Sequence, residues 1–243
     1  MNLGNEICFR YFYIMGNMNK NQQDTEKRAA ALEAVKFVKD GDVVGLGTGS
    51  TATFAIKELG QKVTEGLKIT AAASSVKTEE LARSFGIQIV DIQNLGFIDV
   101  SIDGADEFTQ TLDLIKGGGG ALFREKIIAS LSKNSIIITD ASKKVEKLGA
   151  FTVPIEVIPL AFQYVFDQVT KLGGKSKLRK KDVETFITDN GNYIIDADFG
   201  LIDAPQELAR SLNQIDGLLA HGLFIGLTSK VIMSSGNEIL VFE

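Results

Sequence analysis

Short apolar runs alternate with longer amphipathic stretches over the first 150 residues. The apolar runs predict strands over 43–46, 68–73, 87–92, 98–102 and 135–139, and apolar residues at helical spacing predict helices over 26–38, 51–59, 77–85 and 121–131. The strands are apolar at nearly every position, which is typical of a parallel sheet that is buried on both faces. This order of elements predicts an α/β fold, a Rossmann-like parallel sheet with helices on both faces.

A different pattern begins near residue 150. Strand-like runs at 153–157 and 217–226 enclose a helix over 160–172, two β-rich runs within 184–199 and a helix over 205–212. Asn190-Gly191 lies between the two β-rich runs and is a strong hairpin signal. We take the basic run "KSKLRKK" at 175–181 as a solvated turn, so the order is βαββαβ, which is typical of a small ferredoxin-like α+β domain.

These two patterns divide the chain into three predicted parts. Residues 1–22 are expected to form a poorly ordered extension, to which we assign no function. Residues 23–152 are expected to form the Rossmann-like catalytic domain, to which a last hairpin within 227–243 returns. Residues 153–226 are expected to form the ferredoxin-like small domain.

Composition excludes several classes of function. The net charge is −5, which argues against nucleic acid as a partner, and no apolar run reaches the roughly 18 to 20 residues of a membrane span. The chain has one cysteine, Cys8, and one histidine, His221, so it holds neither an internal disulfide nor a site built from several His or Cys ligands. A reducing, cytoplasmic location fits this composition. A carboxylate-held Mg²⁺ stays open on composition alone, and His221 lies in an apolar run that favours a core role.

The stretch "GLGTGST" at 45–51 lies between a predicted strand and a predicted helix. Such a turn places backbone N–H groups at a helix N-terminus, where the dipole and the unpaired donors favour an anion. Thr48, Gly49, Ser50 and Thr51 therefore make a candidate phosphate-binding turn, and the alternative is an ordinary turn with a Ser or Thr helix cap.

The stretch "DGADEF" at 103–108 follows another predicted strand and carries three carboxylates in five residues. Like charges this close resist joint ionisation, so we expect one raised pKa among Asp103, Asp106 and Glu107. A raised carboxylate pKa suits general acid or base chemistry. The alternative is a solvated acidic turn.

Four consecutive glycines follow Lys116 and precede a helix that carries Glu125. A glycine run is costly in backbone entropy and indicates a backbone that approaches a ligand closely. Lys116 offers a cation to a phosphate or to an enediolate, and Glu125 lies within about 8 Å of the helix start along the axis. A flexible linker is the alternative.

Asp140, Ser142 and Lys143 follow the strand at 135–139, and there a ligand contact and a simple cap are equally consistent with the sequence.

Taken together, the motifs resemble those of type A ribose-5-phosphate isomerases, in the same order and spacing. The resemblance runs from about residue 24 to the C-terminus and rests on seven motifs: "GLGTGST", "DGADE", "KGGGGALFREK", "DASKKVEKLG", "PIEVIP", "TDNGN" and "HGLF". It implies interconversion of D-ribose 5-phosphate and D-ribulose 5-phosphate without a metal or other cofactor, by a homodimer or tetramer.

The resemblance also implies roles for individual residues. Glu125 would shuttle a proton between C1 and C2, Asp103 would assist ring opening with Asp106 beside it, and Lys116 would stabilise the enediolate. Substrate contacts would come from Thr48, Gly49, Ser50, Thr51, Asp103, Gly104, Ala105, Asp106, Lys116, Gly117, Gly118, Gly119 and Lys143. The sequence leaves open which loop holds the phosphate.

Two other functions remain as alternatives. A sugar-phosphate sensor domain can share such a sheet, but the residues before the first helix are too few for a DNA-binding module. An acyl-CoA transferase with a Glu nucleophile can also share it, but Lys116 and "DGADE" have no evident task in that chemistry.

Overall fold

A seven-stranded sheet forms the centre of the larger part of the computed structural model, which describes residues 20–243. In spatial order its strands are β16 (Glu238–Phe242), β15 (Lys230–Ser235), β7 (Ser132–Asp140), β4 (Ile98–Asp103), β1 (Val43–Leu46), β2 (Thr70–Ala73) and β3 (Gln88–Ile89). All neighbours pair in parallel except β15 and the edge strand β16. The hairpin near the C-terminus therefore returns to the first sheet.

Helices cover both faces of this sheet, which confirms the predicted fold class. The helices are α1 (Lys20–Val35), α2 (Ser50–Thr64), α3 (Val76–Ser84) and α4 (Leu122–Leu131). Leu46 belongs to the apolar core that α1, α2 and α3 share, whereas Val43 packs in the cluster around Ile128 of α4. Because these strand residues differ by an odd number of positions, their side chains lie on opposite faces.

A four-stranded antiparallel sheet forms the smaller part. Its elements in chain order are β8 (Val153–Val157), α5 (Phe162–Lys171), β9 (Lys175–Leu178), β12 (Tyr193–Asp198), α6 (Pro205–Leu212) and β13 (Leu218–His221). The strand order is β13-β8-β12-β9, and every pairing is antiparallel. This is the split βαβ arrangement expected from the βαββαβ order.

The hairpin predicted around Asn190-Gly191 is wrong. The partners of β12 are β8 and β9, and β9 occupies part of the basic run that the sequence analysis took as a turn. Glu184–Thr185 (β11) instead pairs with Lys180–Lys181 (β10) in a small ribbon. β9 is an edge strand with exposed lysines, and these charges made the run resemble a solvated turn in the sequence. Lysines on an edge strand protect it from unwanted pairing.

Other element bounds differ from the prediction by a few residues. The first helix begins at Lys20 and ends at Val35, and β3 has two residues where six were expected. The strand expected over 217–226 is divided at Gly222 into β13 and β14 (Leu223–Phe224), and β14 joins β6 (Leu114–Ile115) and β5 (Glu107–Phe108) in a small sheet.

The predicted N-terminal extension lies mostly outside the described residues, and its last three positions belong to α1. The domain division stays a prediction. Among the helices of residues 20–243, none is both long enough and apolar enough to cross a membrane.

A buried carboxylate on α1 ties this helix to two distant segments. The two oxygens of Glu26, which is 1% exposed, accept the N–H of Ala141 (3.2 Å) and the N–H of Gly236 (2.8 Å). Ala141 follows β7, and Gly236 lies in the turn between β15 and β16. The charge of Glu26 therefore holds α1 against one end of the sheet.

We expect Glu26→Ala to lower the free energy of unfolding by about 2–4 kcal/mol, because the buried N–H of Ala141 loses its acceptor and the helix loses two charge-assisted bonds. Denaturant unfolding followed by circular dichroism measures this loss. Glu33→Ala on the same helix is the control, since Glu33 only pairs with Lys36 at the surface, and we expect a change within about 0.5 kcal/mol. Equal losses in the two variants would contradict the anchoring role of Glu26.

Candidate active site

The candidate residues meet where the strand order reverses. β1 and β4 are adjacent parallel strands, and from them the chain proceeds to opposite edges of the sheet. Asp103 is the last residue of β4, and its Oδ1 accepts the N–H of Thr48 (3.2 Å) just beyond β1. A Cβ on Gly47 would collide with the Asp103 carboxylate, so only glycine fits this crossing. Ligands of open α/β sheets bind at such a switch point.

Lys116 lies between two carboxylates. Its Nζ is 2.9 Å from Asp103 Oδ2 and 3.5 Å from Glu125 Oε2, and it donates to the carbonyl of Gly104 (2.6 Å). All three charged side chains are buried, with exposed fractions of 3% for Lys116 and Glu125 and 8% for Asp103. Within the described residues Glu125 Oε2 accepts no hydrogen bond. The site therefore contains a buried carboxylate oxygen that is ion-paired with Lys116 but accepts no hydrogen bond from the described residues.

Burial and mutual charge set the protonation of this cluster. Burial raises the pKa of Glu125 to about 8, Lys116 opposes this effect, and the negative charge of Asp103 adds to it. Burial alone would lower the pKa of Lys116, but the carboxylates of Asp103 and Glu125 outweigh burial and raise it above its ordinary value. The lysine thus stays a cation, while the glutamate becomes a stronger base than an exposed carboxylate.

Close packing of α4 on the sheet brings Glu125 to this position. Ile128, one helical turn after Glu125, lies against Gly45 of β1, where an added Cβ would be 2.5 Å from the Ile128 Cγ2. Any larger residue at position 45 would push α4 away from the sheet. Gly45 therefore fixes the distance between Glu125 and the strand ends.

Asp106 and Glu107 have different roles, although they are adjacent in the sequence. Asp106 Oδ2 accepts the N–H of Gly118 (2.8 Å) and so lies beside the glycine run. Glu107 is turned away from the site, and its oxygens accept the N–H groups of Gly149 (2.7 Å) and Phe151 (2.5 Å). Its pKa is raised mainly by burial, with Asp106 a lesser cause. Mutual repulsion within "DGADE" is thus a minor effect, and burial causes the raised pKa values.

The turn after β1 borders the charged cluster. The Thr48 hydroxyl lies 2.7 Å from that of Ser74 and 2.9 Å from that of Ser75, so it is part of a hydroxyl network at the end of β2. Gly49 occupies the N-cap of α2 with φ +115°, and no side chain within residues 20–243 caps this helix. Ser50 is exposed, and the side chain of Thr51 lies against Gly104. The first-turn N–H groups of α2 therefore remain available to an anion.

The glycine run forms a tight loop next to this turn. Gly117 and Gly120 have φ values of +96° and +87°, which side-chain-bearing residues rarely adopt. A Cβ on Gly118 would be 2.7 Å from Asp106 Oδ1, and one on Gly119 would be 3.7 Å from the Thr48 Cγ2. The loop therefore lies between Asp106 and Thr48.

Two predicted positions stand apart from the charged cluster. Lys143 ends a short 3-10 turn after β7, and its side chain forms no hydrogen bond or ion pair with any residue in 20–243. Ala105 packs in the apolar cluster around Phe108, so only its backbone can contribute to the site.

Sequence reasoning missed the residues that support the site from behind. Lys126 Nζ donates to the carbonyls of His221 (2.6 Å) and Leu223 (2.9 Å), while Lys116 N–H donates to the carbonyl of Gly222 (2.9 Å). Burial lowers the pKa of Lys126 to about 7. The "FREK" motif contains Lys126 directly after Glu125, but the pattern does not reveal that its side chain is directed inward.

His221 is a core residue, as its apolar surroundings predicted. Its ring is 2% exposed, and its Nε2 lies 3.1 Å from Asn213 Oδ1. Burial, with the nearby Lys126 charge, lowers the pKa of His221 to about 3, so the ring stays neutral.

Arg179 was also missed, because the sequence analysis assigned it to a solvated turn. Its guanidinium pairs with Asp196 and donates to the carbonyls of Gly117 (3.0 Å) and Gly118 (3.1 Å). A side chain from the smaller sheet thus reaches the glycine loop.

A small cavity lies on the side of the charged cluster that faces the core. Its volume is about 10 Å³, which is too small for a sugar, and its lining includes Glu125, Ile128 and Phe224. Within residues 20–243, no three His, Cys, Asp or Glu side chains are grouped so as to hold a metal ion. The arrangement combines a base, a fixed cation and backbone donors, which suits proton transfer next to a carbonyl.

Comparison with known proteins agrees with this chemistry. A family model described as ribose 5-phosphate isomerase A (phosphoriboisomerase A) matches residues 70–238. The ribose-5-phosphate isomerase A of Sphingopyxis alaskensis is 45% identical over 216 residues, which cover 89% of this chain and 95% of that protein.

Solved structures agree as well. Ribose 5-phosphate isomerase A from Methanocaldococcus jannaschii has a TM-score of 0.85 at 40% identity and covers 89% of this chain and 97% of its own. A D-ribose-5-phosphate isomerase in complex with phospho-erythronic acid has a TM-score of 0.88 at 38% identity and covers 93% of this chain and 100% of its own. The chain therefore belongs to the ribose 5-phosphate isomerase A family, and the buried glutamate, the lysine and the glycine loop lie in the fold of an aldose-ketose isomerase.

Proposed function

We propose that Glu125 carries the proton transfer by which this chain interconverts D-ribose 5-phosphate and D-ribulose 5-phosphate. The observation that supports this role best is the free, buried Oε2 of Glu125, 3.5 Å from the Lys116 ammonium. A base and an electrophilic cation side by side are what abstraction of a proton next to a carbonyl requires.

The reaction then proceeds in four steps. The furanose opens with help from Asp103, which places the C1 aldehyde beside Lys116. Glu125 removes the C2 proton, and the electron pair forms the C1–C2 double bond while negative charge develops on O1. The O2 proton passes to O1 across the cis-enediolate. Glu125 returns its proton to C1, which leaves the ketone at C2.

Lys116 contributes a preorganised charge. Its ammonium is held by Asp103 and the Gly104 carbonyl before the substrate binds, so little reorganisation is needed when charge develops on the enediolate. Its raised pKa keeps it protonated throughout the cycle. Asp106, which binds the Gly118 N–H, would align the glycine loop beside the sugar.

The substrate would be held by the two loops that border the cluster. Residues Thr48 to Thr51 offer uncapped N–H groups and hydroxyls, and Gly117 to Gly119 offer backbone donors. Lys143 offers a cation that no residue in 20–243 pairs with, at the end of a neighbouring strand. Either the α2 N-terminus or Lys143 can take the phosphate.

The proposal extends to assembly and location. A homodimer or tetramer is supported by apolar side chains on the surface, among which Leu160 is 97% exposed. The single cysteine fits the reducing conditions of the cytoplasm.

Light scattering at assay concentration is expected to give two or four times the mass of one chain, and a single-chain mass would contradict the oligomer.

We expect Glu125→Gln to keep the fold and substrate affinity but to lower kcat by about 10²- to 10⁴-fold, because the amide cannot accept the C2 proton. Conversion of D-ribose 5-phosphate, with and without EDTA, measures this loss. Glu146→Gln is the matched control, since Glu146 is exposed, and it should retain wild-type kcat. Near-normal turnover in Glu125→Gln would remove Glu125 from the role of base.

The raised pKa of Glu125 predicts the pH dependence of the reaction. Since only the carboxylate can act as base, kcat/KM should fall about tenfold per pH unit below about pH 8 and level off above it. Asp103→Asn should move this limb to lower pH, because one negative neighbour of Glu125 is removed. If kcat/KM of Asp103→Asn fell at the same pH as in wild type, the coupling between the two carboxylates would be contradicted.

The free energy of unfolding should depend on the same pKa, but it should fall with rising pH, whereas kcat/KM rises. The folded-state pKa is above the ordinary value of 4.5, so the contribution of Glu125 to stability is present below about pH 4.5 and is lost as the pH rises through about 8. Wild type should therefore lose stability relative to Glu125→Gln across this window in denaturant unfolding. A difference that does not change with pH would mean that the pKa of Glu125 is ordinary.

A further inference from the structure

One arginine connects the smaller sheet to the glycine loop. Arg179 follows β9, and its Nε donates to Asp196 Oδ2 (2.9 Å) on the adjacent strand β12, while its Nη2 binds Asp196 Oδ1. The remaining nitrogen, Nη1, donates to the carbonyls of both Gly117 (3.0 Å) and Gly118 (3.1 Å). The planar guanidinium thus holds two successive peptide groups of the loop in a fixed orientation.

Peptide planarity converts this contact into a direction for two N–H groups. The peptide bonds of residues 20–243 are all trans, and in a trans peptide the C=O and the following N–H point in opposite directions. With the Gly117 and Gly118 carbonyls turned to Arg179, the N–H groups of Gly118 and Gly119 are turned away from it. The Gly118 N–H does donate on that side, to Asp106 Oδ2 (2.8 Å).

The Gly119 N–H is left as a donor without an acceptor. No residue in 20–243 accepts a hydrogen bond from it, and Gly119 is exposed. A Cβ added to Gly119 would be 3.7 Å from the Thr48 Cγ2, so Gly119 lies beside the turn after β1. The Gly119 N–H therefore points away from Arg179, toward the side of the loop on which the Gly118 N–H meets Asp106.

We propose that Arg179 is a positioning residue for the isomerisation: by holding the Gly117 and Gly118 carbonyls, it keeps the Gly119 N–H directed at a substrate oxygen that gains charge in the enediolate. This inference rests on the proposed function. Glycine residues have the widest backbone freedom, so a run of four needs an external restraint if its donors are to be preorganised. Arg179 supplies that restraint from a different sheet.

The partner of Arg179 argues for a geometric role over an electrostatic one. Asp196 neutralises the guanidinium through two hydrogen bonds, so little of its charge acts on an anionic substrate. A lysine at this position would keep the charge but could not bind Asp196 and two carbonyls at once. Arg179→Lys, which keeps the charge, therefore distinguishes a geometric role from an electrostatic one.

The experiment compares Arg179→Lys and Arg179→Met with Lys180→Met, which removes an exposed cation from the next residue. We expect both Arg179 variants to lower kcat by about 10- to 100-fold with KM within about threefold, because a misdirected donor is lost mainly in the transition state. Inhibition by phospho-erythronic acid should weaken in parallel with kcat/KM. Lys180→Met should match wild type.

Asp196→Asn and thermal melting separate positioning from folding. Asp196→Asn leaves Arg179 in place but weakens its anchor, so kcat should fall in the same direction by a smaller factor. If Arg179→Met is unfolded at the assay temperature, Arg179→Lys and Asp196→Asn decide. Wild-type kcat in the folded Arg179 variants, or a rise in KM alone, would overturn the inference.

The two proposals fail in different ways. If neither wild type nor Lys180→Met turned over D-ribose 5-phosphate, the proposed function would be overturned, and this inference with it. Turnover by wild type together with unchanged kcat in Arg179→Met and Arg179→Lys would overturn the inference alone.

Discussion

The buried ion cluster of Lys116, Asp103 and Glu125 is the constraint on which the rest of the site depends. Removing three charges from water is costly unless they are mutually compensated, and here one cation faces two carboxylates. The compensation is incomplete, since Glu125 Oε2 has no hydrogen bond in the described chain. Burial destabilises the charged form of Glu125, and this cost is the main cause of its raised pKa.

The fold supplies that cluster from three directions. Asp103 comes from a strand end of the large sheet, Glu125 from a helix pressed against β1 at Gly45, and Lys116 from a connection pinned to Gly222. None of these attachments lies next to another in the sequence. The parallel sheet places Asp103 at its carboxyl edge, and the packing of α4 and the bond between Lys116 N–H and Gly222 bring the other two charged groups to that edge.

The smaller sheet takes part in the site as well. Arg179 and Phe186 both contact the glycine run, and Asn190 and Asp189 bind Arg124 on the helix that carries Glu125. The loop of Asp189 and Asn190 is in turn held by the buried carboxylate of Glu156 through Thr188, Asn190 and Asn192. The motif "TDNGN" is thus a docking loop between the two sheets, whereas its Asn-Gly pair had indicated a hairpin.

The sequence by itself determined the parallel sheet and identified Asp103, Lys116 and Glu125 as candidate residues, but it took the second strand of the βαββαβ order from 184–199, whereas that strand is β9. Apolar periodicity reflects burial directly, and glycines and carboxylates after strands indicate candidate residues, so these features can be read from local sequence. The tertiary structure alone decided that "KSKLRKK" contains an edge strand, that Glu107 faces a loop while Asp103 faces Lys116, and that Arg179 reaches the glycine run. Each depends on which distant group lies opposite a polar side chain, and no local pattern contains that information. The raised pKa values of Glu107 and Glu125 have the same origin, because burial is a property of the assembled fold.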